Sequence, residues 1–234
     1  MRCIGIIGAM EIEVASLKER MQDITVTRRA SMEFYAGVLA GKKVVVVRSG
    51  IGKVNAAVCT QILIDEFQAE VVINTGIAGS LNADINIGDI VLSTDLVHHD
   101  MNAVAFGYPV GQIPQMEAFS FRSDDALRKL AVEACKAVNP DIQVFEGRIA
   151  SGDQFVADQS VKDFVSKEFG AYAVEMEGAA IAQAAYLNQI PFLVIRAISD
   201  KADGSAEMDY PTFEAQAAEH SFKLTLRIIE ELQG

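Results

Sequence analysis

Short apolar runs alternate with segments of helical spacing along the whole chain, and that alternation leaves few folds open. CIGIIGA, Cys3 to Ala9, is a run of buried-strand type, followed by a helical pattern from about Glu11 to Met21 with Val14, Leu17 and Met21 on one stripe. EFYAGVLA and KKVVVVRSG flank Gly41 as two strands joined by a tight turn. Lys53 to Phe67 follows as a helix, and EVVINTG and Gly88 to Ser93 as strands. Ser123 stands where a helix N-cap belongs, with Asp124 and Asp125 in the first turn of a helix that must stop before Pro140. VFEGRIASGD is a strand. Ser160 to Phe169 is a short helix presenting Val161, Phe164 and Val165 on one face. AYAVEM leads into a helix from Gly178 to Asn188, PFLVIRAISD is a buried strand, and about Tyr210 to Leu232 is a long amphipathic helix. No repeat or linker interrupts the series. The expected architecture is α/β: a single domain over residues 1–234, with a central mixed, twisted sheet flanked by helices. Only His98 to Phe121 lacks either pattern, which marks it as a candidate functional loop.

Composition excludes several partners. Half of the 234 residues are hydrophobic, enough for a substantial core. The net charge of −12 would repel a phosphate backbone or an anionic membrane, so neither nucleic acid nor membrane is an expected partner; a small molecule is. Cys3, Cys59 and Cys135 are odd in number and far apart, which suits a reducing compartment, and a cytoplasmic location is expected. No apolar run is long enough to span a bilayer, and MRCIGIIGAM meets Glu11 and Glu13 without the cleavage site of a signal peptide. His98 and His99 are adjacent, so on a strand they point to opposite faces; they are expected to be ordinary polar residues of a loop rather than metal ligands. No metal and no cofactor is expected.

Three strands end in small-residue turns: GIIGAME, VVVVRSGIGKVN and VVINTGIAGSL. Ligands of open α/β sheets bind beyond the carboxyl ends of strands, where glycine lets backbone come close. Any one such turn is explained by tight geometry alone. None has the dinucleotide fingerprint, and Gly50, Gly52 and Lys53 lack the upstream glycine spacing and the Ser or Thr of a phosphate loop.

Acids stand at the same strand ends. Glu11 and Glu13 follow the first strand, Glu175 and Glu177 follow AYAV, and Asp200 ends PFLVIRAIS. An acidic first helical turn explains Glu11 and Glu13 by itself, and a turn residue explains Asp200. Glu175 and Glu177 are harder to dismiss. Their neighbours in AYAVEMEGAAIAQAAYL are small or apolar, and an unpaired buried acid is costly. Converging acids suit cleavage of a glycosidic bond, which needs an acid for the leaving group, a base for water and anions near a developing oxocarbenium ion.

GIIGAMEIEV, SGIGKVNAA, VINTGIAGSL, SGDQFVAD, AVEMEGAA and RAISDKAD, in this order, cover the chain and resemble the 5′-methylthioadenosine/S-adenosylhomocysteine nucleosidases, of the purine nucleoside phosphorylase-like superfamily. The resemblance implies a nucleoside phosphorylase-like fold and hydrolysis of the N9–C1′ bond of 5′-thio-substituted adenosines. It implies Asp200 as the acid serving adenine N7, Glu13 as the residue that positions and activates water, and Glu177 as the ligand of the ribose 2′-hydroxyl, with Met176 beside it. Adenine would rest on Phe155 and meet the Val156 backbone, with Ser199 supporting Asp200. Ala78 and Gly79 would line the sugar and water side. Met10, Ile51, Phe106 and Tyr210 would form the 5′-alkylthio pocket. The loop near Phe106 would reach the partner's site in a homodimer. Glu175 is expected either to help hold the ribose or to support its turn. Ile77 stands where the family often has Ser and is assigned no catalytic role, and Tyr210 stands where some members have Phe.

The nearest alternative is a phosphate-dependent nucleoside phosphorylase. It would need arginines where this chain offers Glu11 and Glu13; Arg48 and Arg196 precede their turns and are read as structural. An aminodeoxyfutalosine nucleosidase and a non-catalytic nucleoside-binding protein are further alternatives. The last would not need Glu13, Glu177 and Asp200 together.

Overall fold

The computed structural model describes residues 3–200 and 210–232, with side chains at all of these except 210–212. Its sheet has ten strands: β1 (Cys3–Gly8), β2 (Gln22–Arg29), β3 (Met32–Leu39), β4 (Lys42–Arg48), β5 (Ala69–Ser80), β6 (Ile90–His98), β7 (Phe121–Arg122), β8 (Val144–Ser151), β9 (Ala173–Glu175) and β10 (Phe192–Asp200). The helices are α1 (Glu11–Glu19), α2 (Lys53–Phe67), α3 (Asp125–Val138), α4 (Gln159–Phe169), α5 (Gly178–Leu187) and α6 (Tyr210–Glu231).

β1 pairs in parallel with β4 on one side and β5 on the other, and β5 pairs in parallel with β10. The carboxyl ends of these four strands therefore lie along one edge. β10 also pairs antiparallel with β6, β6 pairs in parallel with β8 and β8 in parallel with β9, and β9 returns antiparallel to the last residues of β5. Half of the sheet thus curls closed, which is how the twist of a many-stranded sheet is absorbed. The other side runs from β5 through β1, β4 and β3 to an open edge at β2.

The unbroken apolar character of the strands follows from burial on both faces. Ile7, Val45 and Val47 pack with Ala56, Cys59 and Leu63 of α2 and the small residues of α5. Ile4, Ile6, Val44 and Val46 pack with α1, α3 and α6 on the opposite face. The run of alanines in α5 lets it lie close against α2 and the sheet.

Four expectations from the sequence need correction. β2 was not anticipated; it is an exposed edge strand with no buried face to set a hydrophobic alternation. The cap of α3 is Asp124, whose carboxylate accepts from the Ala126 and Leu127 amides, and not Ser123, which is buried against Ser93. The inward stripe of α4 is Lys162, Val165 and Phe169, while Phe164 points out. His98 and His99 are both buried instead of being solvated loop residues; His98 Nε2 meets the Gln183 amide oxygen at 2.9 Å. Among the described residues no helix is long and apolar enough to cross a membrane.

Candidate active site

One cleft opens along the carboxyl edge of the sheet. It is lined by Met10, Glu13, Ile51, Ala78, Gly79, Phe155, Val156, Glu175, Met176, Glu177, Ser199 and Asp200, together with Ala9, Ile77, Gln154 and Val174. Twelve of the fourteen positions singled out in the sequence are thus brought together. Phe106 is not among them: it ends a short 3-10 turn, Val104–Phe106, and is 83% exposed. Tyr210 begins α6, and its side chain lies outside the described residues.

Glu13 is the third residue of α1, so its side chain can turn back over the start of its own helix. The carboxylate accepts from the Ala9 amide at 2.6 Å, the Met10 amide at 2.9 Å and the Ile77 amide at 3.1 Å. Gly76 is what allows this approach, since a Cβ there would sit 2.5 Å from Glu13 Oε1. Burial pushes the Glu13 carboxyl up. The Arg196 charge and the three backbone donors pull the other way without cancelling the rise. Ile77 therefore reaches the site through its amide rather than its side chain, and the sequence reading missed it.

Asp200 ends β10 beside Gly79, where a Cβ would lie 3.0 Å from its carboxylate. It accepts from Ser199 Oγ at 3.2 Å and from Lys162 Nζ at 3.2 Å. The glycines of NTGIAG thus make room for the protein's own carboxylates, which differs from the direct ligand approach expected for them. Lys162 was missed as well. Its signal was its place with Val165 and Phe169 at helical spacing, a lone cation on the inward stripe of α4.

Glu177 precedes α5 and is 6% exposed. It accepts from the Gly52 amide at 2.7 Å, at the start of α2. Burial, and next the negative charge of Glu175, push its carboxyl up to about 7. Glu175 behaves differently. Its carboxylate takes the Glu177 amide at 3.1 Å, the Gly178 amide at 2.7 Å, the Ser151 hydroxyl and the Arg196 guanidinium. Burial opposes its charge, but Arg196 and these donors hold it below the usual carboxylate range. Of the two expectations for Glu175, supporting the turn is the one that its hydrogen bonds occupy. Arg196 is fully buried and also bonds Asn74 Oδ1, so it faces acids inside the fold. Ser151, which also accepts from the Ala179 amide at 2.7 Å, joins this network and was not anticipated; nothing in its sequence context distinguishes it from any other strand-end serine.

The remaining walls are apolar. Val156 is buried, while Phe155 is 70% and Ile51 54% exposed, so the mouth offers two hydrophobic surfaces to a flat or apolar group. Among the described residues no cluster of His, Cys, Asp and Glu has the arrangement of a metal site. The arrangement suits a neutral ligand with an apolar flat part and hydroxyls. Of its four acids Glu175 is taken up by Arg196, and the other three, Glu13, Glu177 and Asp200, come from three different strand ends.

The chain matches the family model described as the phosphorylase superfamily over residues 3–230. It is 48% identical to the 5′-methylthioadenosine/S-adenosylhomocysteine nucleosidase of Anoxybacillus flavithermus, covering 98% of each chain. It is similar in structure to the nucleosidase of that name from Neisseria meningitidis, solved in complex with methylthio-immucillin-A. The TM-score there is 0.94, with 42% identity over 99% of this chain and 100% of the other. The corresponding protein of Colwellia psychrerythraea, solved with adenine, superimposes with a TM-score of 0.93 and 40% identity over 100% and 98% of the two chains.

Proposed function

This chain belongs to the 5′-methylthioadenosine/S-adenosylhomocysteine nucleosidases of the phosphorylase superfamily, and we propose that the cleft performs their reaction with Glu13, Glu177 and Asp200 in distinct roles. The enzyme is a hydrolase of the N-glycosidic bond in 5′-methylthioadenosine and S-adenosylhomocysteine, releasing adenine and a 5-thioribose derivative. The observation that carries the assignment of roles is the convergence, around one apolar cleft, of three acids besides the Arg196-paired Glu175, each with different partners.

Adenine lies against Phe155 and meets the Val156 backbone. Asp200, steadied by Ser199, gives a proton to N7 as the N9–C1′ pair of electrons moves into the base. Acid catalysis of this kind contributes about 10²–10⁴-fold. Glu177 accepts the ribose 2′-hydroxyl beside Met176 and sets negative charge near the cationic C1′ of the transition state. Glu13 takes a proton from the water whose oxygen bonds to C1′. Its upward-shifted carboxyl suits a group that must accept that proton. Ala78 and Gly79 line this side. Glu175 acts through its neighbours, as a positioning residue for the turn that presents Glu177. Met10, Ile51 and Tyr210 receive the 5′-alkylthio group.

A phosphorylase is disfavoured by charge. Phosphate would have to sit where Glu13 is buried, and the nearby Arg196 is already engaged by Glu175 and Asn74. Arg48 is exposed and lies 3.9 Å from Glu11. The deciding experiment is adenine release from 5′-methylthioadenosine in phosphate-free buffer. Release at full rate without phosphate is expected; release only on adding phosphate would replace hydrolysis by phosphorolysis. Running S-adenosylhomocysteine, 5′-deoxyadenosine and aminodeoxyfutalosine beside it ranks the substrates.

The enzyme works as a homodimer with shared sites. Val104, Phe106, Val54, Val58, Tyr186 and Leu187 are exposed apolar side chains on one chain, the kind of surface that a two-fold partner covers. In that pairing Phe106 closes the 5′ side of the partner's cleft. The free, buried or half-buried cysteines and the acidic surface support a cytoplasmic location.

A further inference from the structure

Two segments stand at the mouth of the cleft: the turn from β4 into α2, with Ile51 followed by Gly52, and the turn after β8, with Gln154 and Phe155; the irregular segment leaving β6, which begins with Asp100, runs beside them. A closed ring of polar contacts joins them. Lys53 Nζ meets Asp100 Oδ1 at 2.6 Å. Asp100 Oδ2 accepts from the Asp153 amide at 2.9 Å. Asp153 Oδ1 accepts from the Lys53 amide at 2.7 Å. Each member belongs to a different one of these segments, and each closes the ring with both of the others.

The positions are not interchangeable with ordinary surface pairs. The β6–β8 ladder ends at the His99 amide, which donates to the Ser151 carbonyl at 2.9 Å. Asp100 is thus the first residue beyond regular pairing. Gly152 has no Cβ, and one there would lie 2.4 Å from His99 Nε2, so the two segments touch directly beneath the ring. Lys53 is the first residue of α2, and its amide is one of the orphan donors of a helix start. The next amide back, that of Gly52, is the one that holds Glu177. The side chains of Lys53 and Asp100 are 19% and 24% exposed, so water screens them only in part.

We propose that Lys53, Asp100 and Asp153 are positioning residues of this cleft, a three-way clasp that sets Gly52 with its bond to Glu177 and the Phe155 rim in fixed relation. The inference rests on reading the cleft as the nucleosidase site. Its members touch no substrate. The clasp ties the start of α2 to the ends of β6 and β8, a connection that β-pairing does not supply, so opening it acts on the grip on substrate.

The test uses Asp100→Asn and Lys53→Met in the full chain, with Lys53→Arg as the conservative control. Both disabling variants are expected to raise KM for 5′-methylthioadenosine by about three- to tenfold, with kcat altered less and the fold retained by circular dichroism. Lys53→Arg keeps KM near the parent value. Amide hydrogen exchange supplies the reading that a purely local role would not move. In Asp100→Asn, exchange must quicken at the amides of Lys53 and Gly52 as well as at Asp153, although Asp100 bonds neither of the first two. Faster exchange confined to Asp153, or an unchanged KM in both disabling variants, overturns the clasp. If the parent enzyme itself releases no adenine, the nucleosidase reading fails, and the exchange experiment still decides whether the ring couples the segments.

Discussion

Glu177→Gln should stabilise the protein above neutral pH while disabling it. The carboxyl of Glu177 is lifted from its ordinary 4.5 to about 7, by burial first and by Glu175 second. A folded-state value above the unfolded one means that the fold holds the proton more tightly. The stability linked to that proton is therefore fully present below pH 4.5 and is lost as pH rises through about 7. The displacement corresponds to about 3 kcal/mol of unfavourable ionisation at pH 8 and under about 1 kcal/mol at pH 5. Glutamine keeps the shape and an oxygen for the Gly52 amide, but it never ionises. For a chain of this size about 1 kcal/mol moves the melting temperature by roughly 2–4 °C. The variant should thus melt about 6–12 °C above the parent at pH 8, with the gap shrinking to a few degrees or less at pH 5. Thermal unfolding followed by far-ultraviolet circular dichroism across this range reads it directly. The same protein should lose kcat/KM, because the ribose contact and its negative charge are gone. A gap that stays constant with pH, or a parent more stable than the variant at pH 8, refutes the placement of an uncompensated acid at this point.

Asp200→Asn keeps the hydrogen bonds to Ser199 and Lys162 in outline but cannot give a proton, so turnover should fall by about 10²–10⁴-fold while the protein still folds; near-parent turnover would remove Asp200 from the acid role. Glu13→Gln should lower kcat far more than it weakens substrate binding measured by calorimetry, and weak binding with normal turnover at saturation would make Glu13 a binding residue. Phe106→Ala should weaken 5′-methylthioadenosine by about 1–3 kcal/mol and adenosine by less, the thioalkyl contact being the one removed. Mixing Phe106→Ala with Asp200→Asn protomers should restore one intact site per heterodimer; heterodimers that form without regaining activity would exclude shared sites.

The alternation of strand and helix was legible because its physical cause is local. A strand buried on both faces must be apolar throughout, as in PFLVIRAISD, and a helix between sheet and solvent must be apolar on one stripe, as from Lys53 to Phe67. The same logic hid β2, whose side chains are nearly all exposed and so carry no burial pattern. It also misassigned the inward face of α4, since a stripe sought among apolar residues passes over Lys162. Glu175 and Glu177 stood out because a carboxylate among apolar neighbours is expensive unless something answers it, whereas Glu13 and Asp200 were marked only by their place at strand ends and by the family resemblance.

What answered each acid was not legible. Glu175 and Glu177 are two residues apart in near-identical surroundings, yet one is paired with Arg196 and Ser151 and the other is bonded by a single amide and left to face the cleft. That difference depends on β10 and β8 lying near β9, partners more than 20 residues away in the chain. Likewise no local pattern announces that Gly76 must be bare so that Glu13 can reach the Ile77 amide, or that Lys53, Asp100 and Asp153 close into a ring. The sequence by itself determined the periodicity of burial, and with it the elements and the strand ends where chemistry could gather. Tertiary structure alone decided which charges meet, since electrostatic and hydrogen-bond energies fall off over a few ångströms of space and take no account of distance along the chain.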